Sequence, residues 1–137
     1  MRLYLDASVL IPLFIEEAGT ARAEQAIAGR EIVVSDFAAA EFSSGVARRA
    51  RQGEIDTAQS AALFAAFDTW VVQAAWHETT TAADLAAAMV YVRQVELGLR
   101  TPDAINIAIA RRCDAEIISF DSRMAAAATL LGMAVIS

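Results

Sequence analysis

Short apolar runs alternate with helical segments along the chain, and this alternation limits the folds that it can adopt. The expected strands are residues 2–6, 31–35, 70–72, 116–120 and 133–136. Strands that alternate with helices favour a mainly parallel sheet with helices packed on its faces. The predicted fold is therefore of the α/β class, a three-layer α/β/α sandwich, and residues 1–137 are predicted to form one domain.

Capping residues and apolar spacing mark the helices between these strands. The expected helices are residues 8–14, 20–28, from Ser35 or Asp36 to about 52, from Asp56 or Thr57 onwards, from Thr80 or Thr81 to 98, 101–113 and 122–131. Thr101-Pro102-Asp103 is typical of a helix start, with threonine as the N-cap and proline in the first turn. The only histidine, His77, is expected in a loop before a helix, where an incidental surface role is the simpler interpretation.

Composition excludes several classes of protein. The single cysteine, Cys113, rules out an internal disulfide and a cysteine-rich zinc site. No apolar run approaches the roughly 20 residues that a membrane span needs. The first strand follows Met1 too closely for a signal peptide, so a cytoplasmic protein is expected. The net charge of −6 argues mildly against nucleic acid as a partner, but this weakens if a bound cation neutralises several of the acids.

Four acids stand out by their positions. Asp6 and Asp121 each follow an apolar strand, Asp103 lies in the first turn of a helix, and Glu41 lies in a helix among alanine and phenylalanine. Simpler interpretations remain open for three of them. Asp103 would favour the helix dipole, Asp121 would cap the following helix, and Glu41 would lie on a solvated edge. The carboxyl ends of parallel strands are also where open α/β sheets place their ligands.

Asp6 is the most informative of these acids. A carboxylate at the end of a buried strand is costly unless it is paired or bound to metal. Several crowded carboxylates stay ionised only beside a cation, and oxygen ligands without histidine or cysteine select Mg²⁺ or Mn²⁺ over zinc. Such a metal activates water and stabilises charge on a phosphoryl group. Ser8, two residues after Asp6, is placed to hold a carboxylate or a metal-bound water.

The helix that carries Glu41 also carries basic residues. From Glu41, helical spacing places Ser44, Gly45 and Arg48 on the same face, and Arg49 widens the basic patch. An acid followed by small residues and arginine suits a surface on which a polyanion lies close to the backbone. The alternative, cations that complement the C-terminal dipole of a solvated helix, carries equal weight.

The order of these acids resembles that of the PIN-domain ribonucleases, most closely the VapC-type toxins of toxin–antitoxin pairs. The resemblance spans nearly the whole chain. Each motif is weak alone, and four in order are fairly specific. They are Tyr4-Leu5-Asp6-Ala7-Ser8-Val9-Leu10, Ala40-Glu41-Phe42, Thr101-Pro102-Asp103-Ala104-Ile105-Asn106-Ile107-Ala108 and Ile118-Ser119-Phe120-Asp121.

The resemblance implies metal-dependent endonucleolytic cleavage of RNA. It implies that Mg²⁺ or Mn²⁺ is bound by Asp6, Glu41, Asp103 and Asp121, with Ser8 and Asn106 assisting. It also implies a homodimer and an inhibitory antitoxin that lays a helix or extended segment in a groove near the site. Many relatives carry a further acid or polar residue soon after the fourth aspartate. This chain has Ser122-Arg123-Met124, which leaves the number of metals open.

Basic residues near the acids are the candidates for contacts with RNA. These residues are Arg48, Arg49 and Arg123.

Two other enzyme classes place an aspartate after the first strand. A haloacid-dehalogenase-type phosphatase needs a second aspartate where this chain has Ser8, and it needs a lysine. A two-component receiver needs a lysine as well, and the chain contains none. The remaining alternative belongs to a different functional class. It is a catalytically silent PIN-like module that binds a partner or RNA without cutting it.

Overall fold

The computed structural model describes residues 1–136, and within them five strands form one parallel sheet. The strands are β1 (Leu3–Leu5), β2 (Ile32–Ser35), β3 (Ala75–Glu78), β4 (Glu116–Ile118) and β5 (Val135–Ile136). Their order across the sheet is β3-β2-β1-β4-β5, so β1 lies at the centre between β2 and β4. All four strand pairings are parallel, as the alternation of strands and helices predicts.

Helices cover both faces of this sheet. They are α1 (Ala7–Phe14), α2 (Thr20–Ile27), α3 (Asp36–Arg51), α4 (Thr57–Ala74), α5 (Ala82–Arg93), α6 (Thr101–Arg112) and α7 (Ser122–Leu130), with a 3₁₀ turn at Val95–Leu97. Successive strand residues point to opposite faces. Tyr4 therefore packs into a core with α5, α6 and α7, whereas Leu3 and Leu5 pack into a second core with α1, α3 and Phe67. The predicted three-layer α/β/α sandwich is confirmed.

The expected strand at residues 70–72 is wrong. This segment belongs to α4, which continues to Ala74, and the strand β3 follows it. Trp70 packs on Phe14 together with Phe67, an arrangement that helical spacing permits. His77 lies in β3, paired with Val34 of β2, and not in a loop.

The long helix expected up to residue 98 ends earlier. The helix α5 stops at Arg93, and a short 3₁₀ turn leads to Gly98, whose φ of 63° lies in the left-handed region that glycine adopts at little cost. Thr101 is the first residue of α6 and not its cap, which is Arg100. The last strand is shorter than expected. The prediction of one domain over residues 1–137 includes Ser137, which lies outside the described residues.

No helix among residues 1–136 has the length and apolar character to cross a membrane.

Candidate active site

Asp6 is the N-cap residue of α1, directly after the central strand. Its two carboxylate oxygens accept hydrogen bonds from Ser8 Oγ at 2.6 Å and from Ser119 Oγ at 2.8 Å. Ser119 lies one residue after β4, the strand that pairs with β1. Ser8 Oγ also accepts the backbone N–H of Phe120 at 2.8 Å. These bonds join the ends of two neighbouring strands around one carboxylate.

The electrostatic environment of Asp6 is unfavourable to its charge. The pKa of Asp6 is raised to about 6, chiefly by burial and in part by the charges of Asp121 and Asp103, whereas the two serine hydrogen bonds oppose this rise. Within residues 1–136, no arginine or histidine forms an ion pair with Asp6. A buried carboxylate with acids for neighbours is a candidate for cation binding.

Asp103 and Asp121 lie on one polar cleft, whose lining residues are Arg100, Pro102, Asp103, Asp121, Ser122 and Arg123. Asp103 is in the first turn of α6, as the sequence predicts. Burial raises its pKa and the charge of Asp121 adds to this effect, whereas Arg100 and Arg123 oppose it. Asp121 caps α7, accepting the N–H groups of Arg123 at 2.9 Å and Met124 at 3.2 Å. Its capping role is therefore real, and it coexists with a place in the cleft.

Glu41 comes from the second turn of α3 and is half-buried. Its Oε1 accepts a hydrogen bond of 2.7 Å from Asn106 Nδ2 on α6. Burial raises the pKa of Glu41, and the charges of Asp6 and Asp103 add to this effect against the Asn106 hydrogen bond. The charge of Asp6, which follows β1, therefore acts on Glu41, and the charges of Asp103 and Asp121 act on Asp6. Ser8 and Asn106 each contact one of the four.

The three predicted RNA-contacting arginines differ in their surroundings. Arg123 lines the cleft beside Asp121. Arg48 is exposed near the end of α3 and forms no ion pair with any described residue. Arg49 is held by Glu17 at 3.3 Å and donates to the carbonyl of Gly45 at 3.2 Å. RNA would have to compete with Glu17 for Arg49, whereas Arg48 and Arg123 are accessible.

A protein-family model described as "PIN domain" matches residues 3–130. The chain belongs to the PIN domain family. No curated protein sequence gives a significant match. The VapC20 toxin of Mycobacterium tuberculosis, described as cleaving the sarcin–ricin loop, has a similar structure, with 21% identity over 91% of this chain and 94% of that one and a TM-score of 0.73.

Two further structures are similar as well. The FitAcB structure from Neisseria gonorrhoeae matches with a TM-score of 0.77 and 14% identity, over 98% of this chain and 96% of that chain. A toxin–antitoxin complex from Klebsiella pneumoniae matches with a TM-score of 0.68 and 23% identity, over 100% and 97%. At these identities the similarity shows that this PIN domain shares their fold.

The acids of this PIN domain do not form a ready-made metal cage. Among the described residues, no three acidic, histidine or cysteine side chains are close enough together to enclose an ion. Three of the four acids are held by neutral hydrogen-bond donors: Asp6 by two serines, Glu41 by Asn106 and Asp121 by the N–H groups at the start of α7. The four acids would bind an ion through carboxylate oxygen atoms. Such ligands fit Mg²⁺ or Mn²⁺, provided that these side chains draw together around the ion.

Two residues of the site are absent from the sequence-based prediction. Ser119 is a polar residue within the apolar run expected as a strand over residues 116–120. This interruption would have identified it, because a buried hydroxyl needs a hydrogen-bond partner. Arg100 precedes the Thr101-Pro102-Asp103 start of α6 and carries no local signal. It is recognised only when α6 and α7 bring it into the same cleft as Arg123.

Proposed function

We propose that this PIN domain is a metal-dependent endoribonuclease and the toxin of a toxin–antitoxin pair that acts in the cytoplasm. The observation that supports the proposal is the buried carboxylate of Asp6, which pairs with no described arginine or histidine while the charges of Asp103 and Asp121 act on it and its own charge acts on Glu41. The raised pKa values of Asp6, Glu41 and Asp103 mean that their charged forms cost folding free energy, and a bound divalent cation would offset that cost.

In this proposal the four acids hold Mg²⁺ or Mn²⁺, which when bound activates water and stabilises charge developing on a phosphoryl group. Ser8 and Ser119 fix both oxygens of the Asp6 carboxylate, so its orientation is set before any ion binds. Asn106, on α6, orients the carboxylate of Glu41 in the same way, through a hydrogen bond to Oε1. These neutral donors hold the ligands without competing for the cation.

The RNA substrate is proposed to cross the cleft between α6 and α7. Arg100 and Arg123 lie on this cleft beside Asp103 and Asp121, which places cations near the position of a cut phosphodiester. Arg48 extends the positive surface along α3, about two helical turns or about 10 Å from Glu41. Its exposure and lack of an ion pair leave it available for a phosphate distant from the cut.

The experiment compares RNA cleavage with Mn²⁺ and with EDTA for wild type and for the variants Asp6→Asn and Asp103→Asn. Each variant is expected to lose activity roughly a thousandfold, which corresponds to about 4 kcal/mol, while the metal-free fold is retained. Asp114→Asn is a matched control, because Asp114 is exposed and its φ of 52° suits asparagine. Retained cleavage in the two site variants, or cleavage that survives EDTA, would refute the nuclease proposal.

An antitoxin is the proposed protein partner, because similar folds occur in toxin–antitoxin complexes. An apolar groove lies between α3, α4 and β3, lined by Ala39, Phe67, Asp68, Val71, Val72, Ala75 and His77. Val72 is 84% exposed there, so its side chain is available for contact with a partner. We assign this groove to an apolar segment of the antitoxin. Co-expression from the native locus, with Val72→Glu as the disrupting variant, tests the assignment.

A homodimer is proposed to form through α5. Leu85, Met89 and Val90 on this helix and Val95 just after it are large apolar side chains between 47% and 84% exposed. Burial of such a surface against a second copy would stabilise a dimer by the hydrophobic effect. Sedimentation velocity of wild type and Met89→Glu tests this, and a monomeric wild type would contradict it.

The second candidate function is a PIN-like module that binds RNA or a partner without cutting. The absence of a preformed metal cage among the described residues favours it. The cleavage experiment with Mn²⁺ separates the two candidates.

A further inference from the structure

Tyr4, in the middle of β1, carries a phenol that is completely buried beneath the site. Its oxygen lies 2.7 Å from Ser35 Oγ, and it donates its proton to Asn106 Oδ1 at 2.6 Å. A buried hydroxyl that joins the N-cap residue of α3 to a side chain of α6 does more than fill space in the core.

The direction of each hydrogen bond in this group follows from proton counting. Tyr4 has one proton and gives it to Asn106, so Ser35 must donate to the Tyr4 oxygen. Ser35 is the N-cap of α3, and its Oγ accepts the N–H of Ala38 at 2.9 Å. A directed series of hydrogen bonds therefore runs from the start of α3 through Ser35 and Tyr4 to Asn106 on α6.

The amide of Asn106 has one favourable orientation. Its Nδ2 group donates to Glu41 Oε1 at 2.7 Å and to the carbonyl of Pro102 at 3.0 Å. The flipped amide would place Oδ1 against these two oxygens and leave both without a donor. The proton from Tyr4 satisfies Oδ1 only in the unflipped orientation. Tyr4 therefore favours the orientation in which Asn106 presents an N–H to Glu41.

We propose that Tyr4 is a positioning residue, which fixes the Asn106 amide through its hydroxyl and thereby holds the Glu41 carboxylate in place for the site. This rests on the proposed function, in which Glu41 is one of the four acids. Tyr4 is not a catalytic residue, because its side chain is fully buried and its hydroxyl hydrogen-bonds only to Ser35 and Asn106 among the described residues. The hydrogen bond from Asn106 to Glu41 extends the series back to α3. One buried hydroxyl on β1 therefore couples α3 and α6 at the position of the site.

The test is Tyr4→Phe, which removes only the hydroxyl and keeps the ring in the core. Ile109→Val is the matched control, since Ile109 lies three residues after Asn106 on α6, is fully buried and packs into the same core as Tyr4. In metal-free protein, NMR of the Asn106 side-chain amide should show displaced signals in Tyr4→Phe and unchanged signals in Ile109→Val. Calorimetry should show Mn²⁺ affinity lowered at least tenfold in Tyr4→Phe alone.

Single-turnover cleavage at saturating RNA should fall at least tenfold in Tyr4→Phe, while RNA affinity stays within twofold of wild type. Unchanged Asn106 signals, or displaced signals with wild-type Mn²⁺ affinity, would overturn the positioning role. The amide signals and the Mn²⁺ affinity need no RNA. If wild type fails to cleave RNA, the proposed function fails, and these two measurements still decide the role of Tyr4.

Discussion

Asp6 and Asp84 are two aspartates of similar burial, 6% and 2% exposed, in opposite electrostatic environments. Asp84 receives two hydrogen bonds from Arg112, Nε at 2.9 Å and Nη2 at 3.0 Å, and completes a capping box with Thr81. Burial alone would raise the pKa of Asp84, but the hydrogen bonds from Arg112 and Thr81 hold it below its ordinary value. Asp6 has two serines and other acids for neighbours, and its pKa is raised to about 6.

The difference separates a structural acid from a candidate functional one. The Asp84–Arg112 pair ties the start of α5 to the end of α6, and Arg112 also reaches Glu78 of β3 at 3.2 Å. Its charges are compensated inside the protein. No described arginine or histidine compensates the charge of Asp6, which lowers the stability of the fold, and the proposed metal would offset this cost.

The largest expected difference between the two acids is the change in the free energy of unfolding when each is replaced by asparagine. Asp84→Asn leaves the guanidinium of Arg112, which is one-third exposed, without its main partner, and should lower the free energy of unfolding by about 3 kcal/mol. Asp6→Asn removes a repelled charge and should leave the metal-free protein equally stable or more stable. Urea denaturation of both variants in EDTA measures this. Equal losses in the two variants would remove the distinction between the acids.

The pH dependence of stability should have opposite signs at the two acids. The folded-state pKa of Asp6 lies above its unfolded value of 3.8, so the folded state binds more protons between pH 4 and pH 6. Asp6 therefore lowers stability as pH rises through this window, by roughly 3 kcal/mol. The pKa of Asp84 is lowered, so its stabilisation is present above about pH 4 and is lost as pH falls.

The measurement is the free energy of unfolding from pH 3.5 to pH 7.5 in EDTA. The difference between Asp6→Asn and wild type should grow in favour of the variant as pH rises from 4 to 6, and then stay constant. A difference that does not vary with pH would mean that the Asp6 carboxylate is not destabilised by its surroundings.

The smallest expected effect concerns the two neighbouring arginines of α3. Arg48→Ala should weaken RNA binding at low salt and reduce the slope of log affinity against log salt by about one unit. Arg49→Ala is the matched comparison, because Arg49 is already paired with Glu17, and it should change the slope less. Binding is measured in an Asp6→Asn background to prevent cleavage. An unchanged slope in Arg48→Ala would place the RNA elsewhere.

The parts of the fold that follow local patterns could be predicted from the sequence. The apolar runs before Asp6 and Asp121 predict β1 and β4, because strands buried on both faces are apolar throughout. β3 was misplaced because it is an edge strand of mixed polarity, Ala-Trp-His-Glu, and its pairing with β2 is a tertiary contact. The apolar residues at 70–72 lie near the C-terminal end of α4, and a short apolar run in a helix cannot be distinguished from a strand by its periodicity alone.

The candidate site also contains some features that the sequence indicates and others that it does not. The four acids follow from the positions of strand ends and helix starts, together with the family resemblance. The hydrogen bond from Ser119 to Asp6 joins residues 113 positions apart, and the bond from Tyr4 to Asn106 joins residues 102 positions apart. Such contacts depend on the packing of the sheet, so no local sequence pattern indicates them.

The most direct test of the central claim, that Asp6 is left for a cation, is Mn²⁺ binding measured by calorimetry at pH 7.5 without RNA. Wild type and Asp84→Asn should bind Mn²⁺ with similar affinity, at a temperature where both are folded, and Asp6→Asn should bind at least tenfold more weakly, a loss of about 1.4 kcal/mol or more. Equal affinities in wild type and Asp6→Asn, or no binding by wild type, would contradict the account.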